Sequence, residues 1–109
     1  MAFDEWLADR VRRALGGRKG LAEKKMFGGI AFLLGGNMCV GVHRNDLIVR
    51  VAAEQTDALL KEKHTRLFDL TGRPMKGWLL VEPRGLASDA ALGKWIGIAR
   101  GFAETLPPK

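Results

Sequence analysis

Apolar positions in the first fifteen residues recur at three- and four-residue spacing. Phe3, Trp6, Leu7, Val11, Ala14 and Leu15 would make one apolar face of a helix. Asp4, Glu5 and Asp9 sit in its first half and Arg10, Arg12 and Arg13 later, the arrangement that the helix dipole favours. Gly16-Gly17 supplies the stop. From Glu23 the period changes to two. Ile30, Phe32 and Leu34 alternate with Ala31 and Leu33, Gly35-Gly36-Asn37 makes a hairpin turn, and Met38, Val40 and Val42 alternate with Cys39, Gly41 and His43. A second turn at Arg44-Asn45-Asp46 leads to Leu47, Val49 and Val51, set against Ile48 and Arg50.

Beyond Val51 the alternation is lost. Ala53–Lys63 reads as a short helix with Leu59 and Leu60 inward, Leu67–Leu70 as a short strand, and Thr71-Gly72-Arg73-Pro74 as a loop. Trp78–Val81 is a further strand, stopped by Pro83. Ser88 caps a last helix whose inward face is Leu92, Trp95, Ile96, Ala99, Ala103 and Leu106, and Pro107-Pro108 ends it. The pattern predicts an α+β domain: an antiparallel β-sheet meander, N- and C-terminal helices on one face, and a short middle helix. Consecutive hairpin strands exclude a doubly wound parallel sheet. No internal repeat or linker divides the chain, so residues 1–109 are expected to form one domain.

Composition places the chain among globular proteins, at 47% hydrophobic and 28% charged. Its one cysteine, Cys39, has no second cysteine to bridge, as expected of a reducing compartment. The acidic N-terminus does not resemble a secretory signal, and apolar runs such as Ile30–Leu34 fall far short of a membrane span. The expected location is the cytoplasm, with no membrane partner. A net charge of +6 raises the prospect of a polyanionic partner. That charge is spread out: residues 1–25 hold seven basic and four acidic side chains. The densest basic stretch, Arg10 to Lys25, reads first as a solvated helix end and loop.

No catalytic set is legible. On a regular strand Cys39 and His43 would share a face yet lie roughly 13 Å apart, too far for a nucleophile and its base. His64 reads as a cap on the middle helix. Two histidines and one cysteine at these spacings make no zinc pattern. The carboxylates Asp4, Glu5, Asp9, Glu23, Asp69, Glu82 and Asp89 show no pairing. No catalytic residue, cofactor or metal is therefore expected. Gly28-Gly29 after Lys24-Lys25 lacks the Lys-Ser/Thr ending of a phosphate-binding loop and precedes a strand, so it reads as a bulge or a tight link between strands. Candidate contacts for an anion or a partner are Lys24, Lys25, Arg50, Arg73 and Lys76, the last two in a glycine-framed loop. Gly93, Gly97 and Gly101 form a stripe along the last helix, at roughly 0.8–1 kcal/mol each against alanine. Close packing inside the fold is the first expectation for that stripe and a subunit interface the second.

The run KKMFGGIAFLLGGNMCVGVHRNDLIVRV, from Lys24 to Val51, resembles the core signature of the TfoX/Sxy family N-terminal domain. Lys25-Met26-Phe27-Gly28-Gly29, Gly36-Asn37-Met38 and Leu47-Ile48-Val49-Arg50-Val51 carry the likeness, which continues through FDLTGRPMKGWLLVEP, Ser88-Asp89 and Trp95. The resemblance implies a small α+β fold, in a group whose related folds often pair into dimers, with no catalytic residue set to carry over. Two-domain members regulate natural competence and carry a helical C-terminal domain; this chain, ending at Lys109, resembles a standalone form. The expected function is a non-enzymatic regulatory or protein-interaction module, with a protein partner or a second copy. The alternatives are a basic protein associated with nucleic acid and the binding of a small anionic ligand.

Overall fold

The computed structural model describes residues 3–17, 20–26, 28–68 and 76–108. Helix α1 (Glu5–Leu15) begins where Asp4 Oδ1 accepts the N–H groups of Trp6 and Leu7, at 2.9 and 3.1 Å. Four antiparallel strands follow: β1 (Leu21–Met26), β2 (Gly29–Leu34), β3 (Asn37–His43) and β4 (Asp46–Arg50). Helix α2 (Thr56–Leu59) follows a 3-10 turn, Ala53–Gln55, and leads to β5 (Thr65–Leu67). Strand β6 (Trp78–Val81), a second 3-10 turn (Pro83–Leu86) and helix α3 (Asp89–Ala103) complete the order. Ser88 Oγ accepts the N–H of Ala91 at 3.0 Å, which makes it the N-cap that the sequence pointed to.

The sheet runs β1-β2-β3-β4-β6-β5, antiparallel throughout. Strands β2 to β4 are the expected meander, β1 adds one more antiparallel strand at its edge, and β6 inserts between β4 and β5. The α2 segment is shorter than Ala53–Lys63, and Leu59 and Leu60 are half-buried against the core. Strand β5 begins two residues earlier than expected, at Thr65, and Leu70 lies outside the described residues. His64 caps no helix. It takes a positive φ of 68° before β5, and its carbonyl accepts the Glu82 N–H at 2.8 Å.

The main core lies between the sheet and helices α1 and α3. Leu7, Ala8, Val11 and Leu15 enter it from α1, and Leu92, Trp95, Ile96, Ala99 and Ala103 from α3. Each large apolar chain so buried is worth about 1.5–3 kcal/mol. Trp6 and Ala14 lie outside the buried face; Trp6 is 67% exposed, with the Arg10 guanidinium 5.1 Å from its ring. The reason is local: Phe3 precedes the helix and bridges to Arg44, so the buried stripe starts at Leu7.

A bulge in β3 changes which side chains share a face. Phe32 pairs with Val40 and Leu33 with Met38, which leaves Cys39 as the extra residue. Cys39 and Val40 both join the helix-side core, while Met38 turns to the other face against Ile48, Phe68, Leu80 and Trp78. The expected grouping of Met38 with Val40 and Val42 is thereby corrected. Cys39 and His43 no longer share a face either, since the His43 ring meets Phe68 edge-on at 6.4 Å.

Candidate functional site

Two consecutive glycines hold the hairpin beside this bulge. Gly35 and Gly36 have φ of 60° and 84°, the left-handed values that the two-residue turn between β2 and β3 requires. At the opposite end, Met26 pairs with Gly29, so Gly28-Gly29 is the tight link between β1 and β2. A Cβ on Gly29 would stand 2.1 Å from the Val42 carbonyl oxygen, which leaves room for glycine alone.

These turns make β1 the outermost strand along six residues, whereas the other edge, β5, has only three. Ala22 through Lys25 are exposed, with Glu23 and Lys25 on one face and Ala22 and Lys24 on the other. The hydrogen-bonding direction follows from one contact. Gly35 donates its N–H to the Gly20 carbonyl at 3.0 Å, and antiparallel pairs alternate from there. Ala22, Lys24 and Met26 therefore spend their backbone groups on β2. Leu21, Glu23 and Lys25 direct theirs outward.

On the helix side, β1 and β2 face α1 across a groove of about 600 Å³. Its floor is apolar, from Phe3, Ala8, Met26 and Ile30, and its rim carries Arg12, Glu23 and Lys25. Arg12 grips Glu23 with two bonds, Nε to Oε2 at 2.5 Å and Nη2 to Oε1 at 2.7 Å, and also contacts Asp9. Hydrogen bonding between the two groups lowers the Glu23 pKa and raises that of Arg12. The Arg12 guanidinium also covers the Phe32 ring at 5.8 Å, so the pair roofs the edge of the core.

The five candidate cations do not converge. Lys24 and Lys25 occupy opposite faces of β1, opposite Ala31 and Ile30 of β2. Arg50 ends β4, with its guanidinium 5.2 Å from the Trp78 ring and 5.7 Å from that of Phe102. Three strand spacings, about 14 Å, separate β1 from β4. Lys76 is exposed and lies 3.9 Å from Asp57 Oδ2. Arg73 lies outside the described residues. Other basic side chains also have carboxylate partners: Arg10 with Asp89, Arg66 with Asp46 and Glu82, and Lys94 with Glu62. Burial raises the Asp46 pKa, against the opposing pull of Arg66.

The glycine stripe faces away from the core. Gly97 and Gly101 line a second groove with Ile98 and Phe102 on one side and Ala52 and Gln55 on the other. Among the described residues, nothing lies within 4 Å of a Cβ built at Gly93, Gly97 or Gly101. The described neighbours thus give no support to close packing of the stripe inside the fold.

Sequence reasoning missed the Arg12–Glu23 pair, the outward edge of β1 and the exposure of Trp6. The edge did leave a signal: Leu-Ala-Glu-Lys-Lys-Met places charge on both faces of a strand, as outer strands do.

Among the described residues no three His, Cys, Asp or Glu side chains gather to hold a metal ion, and no helix is long and apolar enough to cross a membrane. The family model for the TfoX N-terminal domain matches residues 10–103. The chain belongs to the TfoX N-terminal domain family. No curated protein and no solved structure matches it. The match runs from the second half of α1 to the end of α3, so it takes in the β1 edge, the Arg12–Glu23 pair and the glycine stripe together. Among the described residues of this TfoX N-terminal domain, β1 is the longer of the two edge strands and lies beside the groove.

Proposed function

We propose that this TfoX N-terminal domain is a non-enzymatic, regulatory protein-interaction module of the cytoplasm, and that β1 with its groove is where it docks a protein. The observation that carries this reading is the six-residue outer strand whose Leu21, Glu23 and Lys25 direct N–H and C=O groups outward beside an apolar groove. Adding a strand to such an edge gives affinity through main-chain bonds, and the adjoining groove gives selectivity through side chains. The lone cysteine, buried in the core, suits a reducing compartment.

Binding to nucleic acid is the rival reading, motivated by the net charge of +6. Pairing of Arg10, Arg12, Arg66, Lys76 and Lys94 with carboxylates weighs against a continuous basic track. Binding of a small anion has less support, because Arg50 and Lys76 lie far from Lys24 and Lys25 across the sheet.

The test places a photo-crosslinking side chain at Lys25 in cells. A defined protein adduct that disappears when Glu23 is replaced by proline is the expected result. No protein adduct from any position of β1, or retention on nucleic acid at low salt, contradicts the reading.

A further inference from the structure

We infer that the partner seated on β1 is a second copy of this chain, joined edge to edge by antiparallel β1 strands about a twofold axis. The inference rests on the docking reading above and specifies its occupant.

The outward groups of the strand allow few self-pairings. A twofold axis normal to the sheet keeps both sets of helices on the same side, so residues facing each other must share a face. With Leu21, Glu23 and Lys25 as the bonding residues, the axis falls either at Glu23 or at Lys24 near the middle of the strand. An axis at Glu23 sets that carboxylate against its own copy. An axis at Lys24 sets Glu23 against Lys25 of the second copy, and Lys25 against Glu23 of the second copy. The same two residues then exchange all their outward N–H and C=O groups. Charge and backbone geometry thus select one register.

Glu23 is suited to this place. Arg12 fixes its side chain on the helix face, the face that Lys25 also occupies. One contact opposes association. Lys24 meets its own copy at the axis, as a non-hydrogen-bonded pair where side chains come closest. This like-charge pair, together with the net charge of +6, makes the dimer reversible and concentration-dependent.

Sedimentation equilibrium reads the outcome directly. The mass is expected to rise with concentration from 12.0 kDa to twice that value. Lys25→Pro removes an outward N–H and leaves the β1–β2 ladder intact, so it stays at the monomer mass with an unchanged circular-dichroism spectrum. Should that variant fail to fold, Lys25→Glu sets two carboxylates against each other and likewise remains monomeric. Lys24→Thr relieves the axial repulsion and tightens the dimer. Lys24→Cys places two sulfurs across the axis at a Cα separation of about 4.5 Å, within disulfide range, and crosslinks on mild oxidation. Ala22→Cys, whose copy lies four residues along at roughly 13 Å, does not.

A wild-type protein that stays at 12.0 kDa at every concentration overturns the inference. So does a dimer that survives both Lys25 substitutions, since association then uses another face. Either result leaves the docking reading to stand or fall on the protein adducts at Lys25. Absence of every protein adduct would defeat both.

Discussion

The Thr56 side chain is fully buried, and its hydroxyl joins two segments distant in sequence. Oγ1 accepts the Gly77 N–H at 2.9 Å and donates to the Ala52 carbonyl at 3.4 Å, while the Gly77 carbonyl accepts the Val51 N–H. Valine has the same shape and no acceptor, so Thr56→Val strands a buried N–H at the entrance to β6. A loss of about 1–3 kcal/mol is expected in urea unfolding, with Thr56→Ser restoring most of it. Glu23 makes a different kind of contribution. Its pKa is depressed by Arg12, so its stabilisation is fully present above the unfolded carboxylate value and is lost as pH falls through the folded one. The pair is partly exposed, which limits its worth to about 1 kcal/mol at most. Glu23→Gln should therefore lower the unfolding midpoint at neutral pH, and the difference from wild type should close in acid.

Local chemistry made most elements legible. The Gly35-Gly36-Asn37 turn, the Ser88 cap and strand Trp78–Val81 each depend on a few neighbouring residues, and each stands where the pattern put it. Met38 and Cys39 depart from the expected faces because a bulge depends on the partner strand, which periodicity along one strand does not report. Trp6 departs from the expected face because Phe3 lies before the helix and takes no part in its buried stripe. Helix α3 shows the same limit. Its buried face was legible in full as far as Ala103, but the side to which Gly93, Gly97 and Gly101 point depends on what surrounds the helix. Beyond the backbone of α3 itself, no described atom lies within 4 Å of a Cβ built at Gly97, so an added methyl meets open space. Gly97→Ala should stabilise the protein by about 0.8–1 kcal/mol, seen as a rise of several degrees in Tm. A fall in Tm would mean that the stripe is closely packed after all.

At the scale of the molecule, the order β1-β2-β3-β4-β6-β5 decides which edges remain open. The meander of β2 to β4 was legible from its turns, whereas β1 was not among the expected strands. The insertion of β6 beside β4 was not legible, because it joins segments separated by α2 and β5. That insertion covers one side of β4 and leaves the short β5 at one edge and the six-residue β1 at the other. The candidate cations, chosen from sequence for their charge, are scattered by this topology. The same topology brings Glu23 and Lys25 to an open edge beside a groove. Amide hydrogen exchange along β1, followed residue by residue as concentration rises, tests that edge most directly. In dilute solution the N–H groups of Ala22, Lys24 and Met26 should be protected and those of Leu21, Glu23 and Lys25 should exchange freely. At high concentration the amides of Glu23 and Lys25 should become protected, and Lys25→Glu should abolish that gain at Glu23. Outward amides that exchange freely at every concentration would contradict self-association through β1, and the same result with cell extract added would contradict docking at this edge altogether.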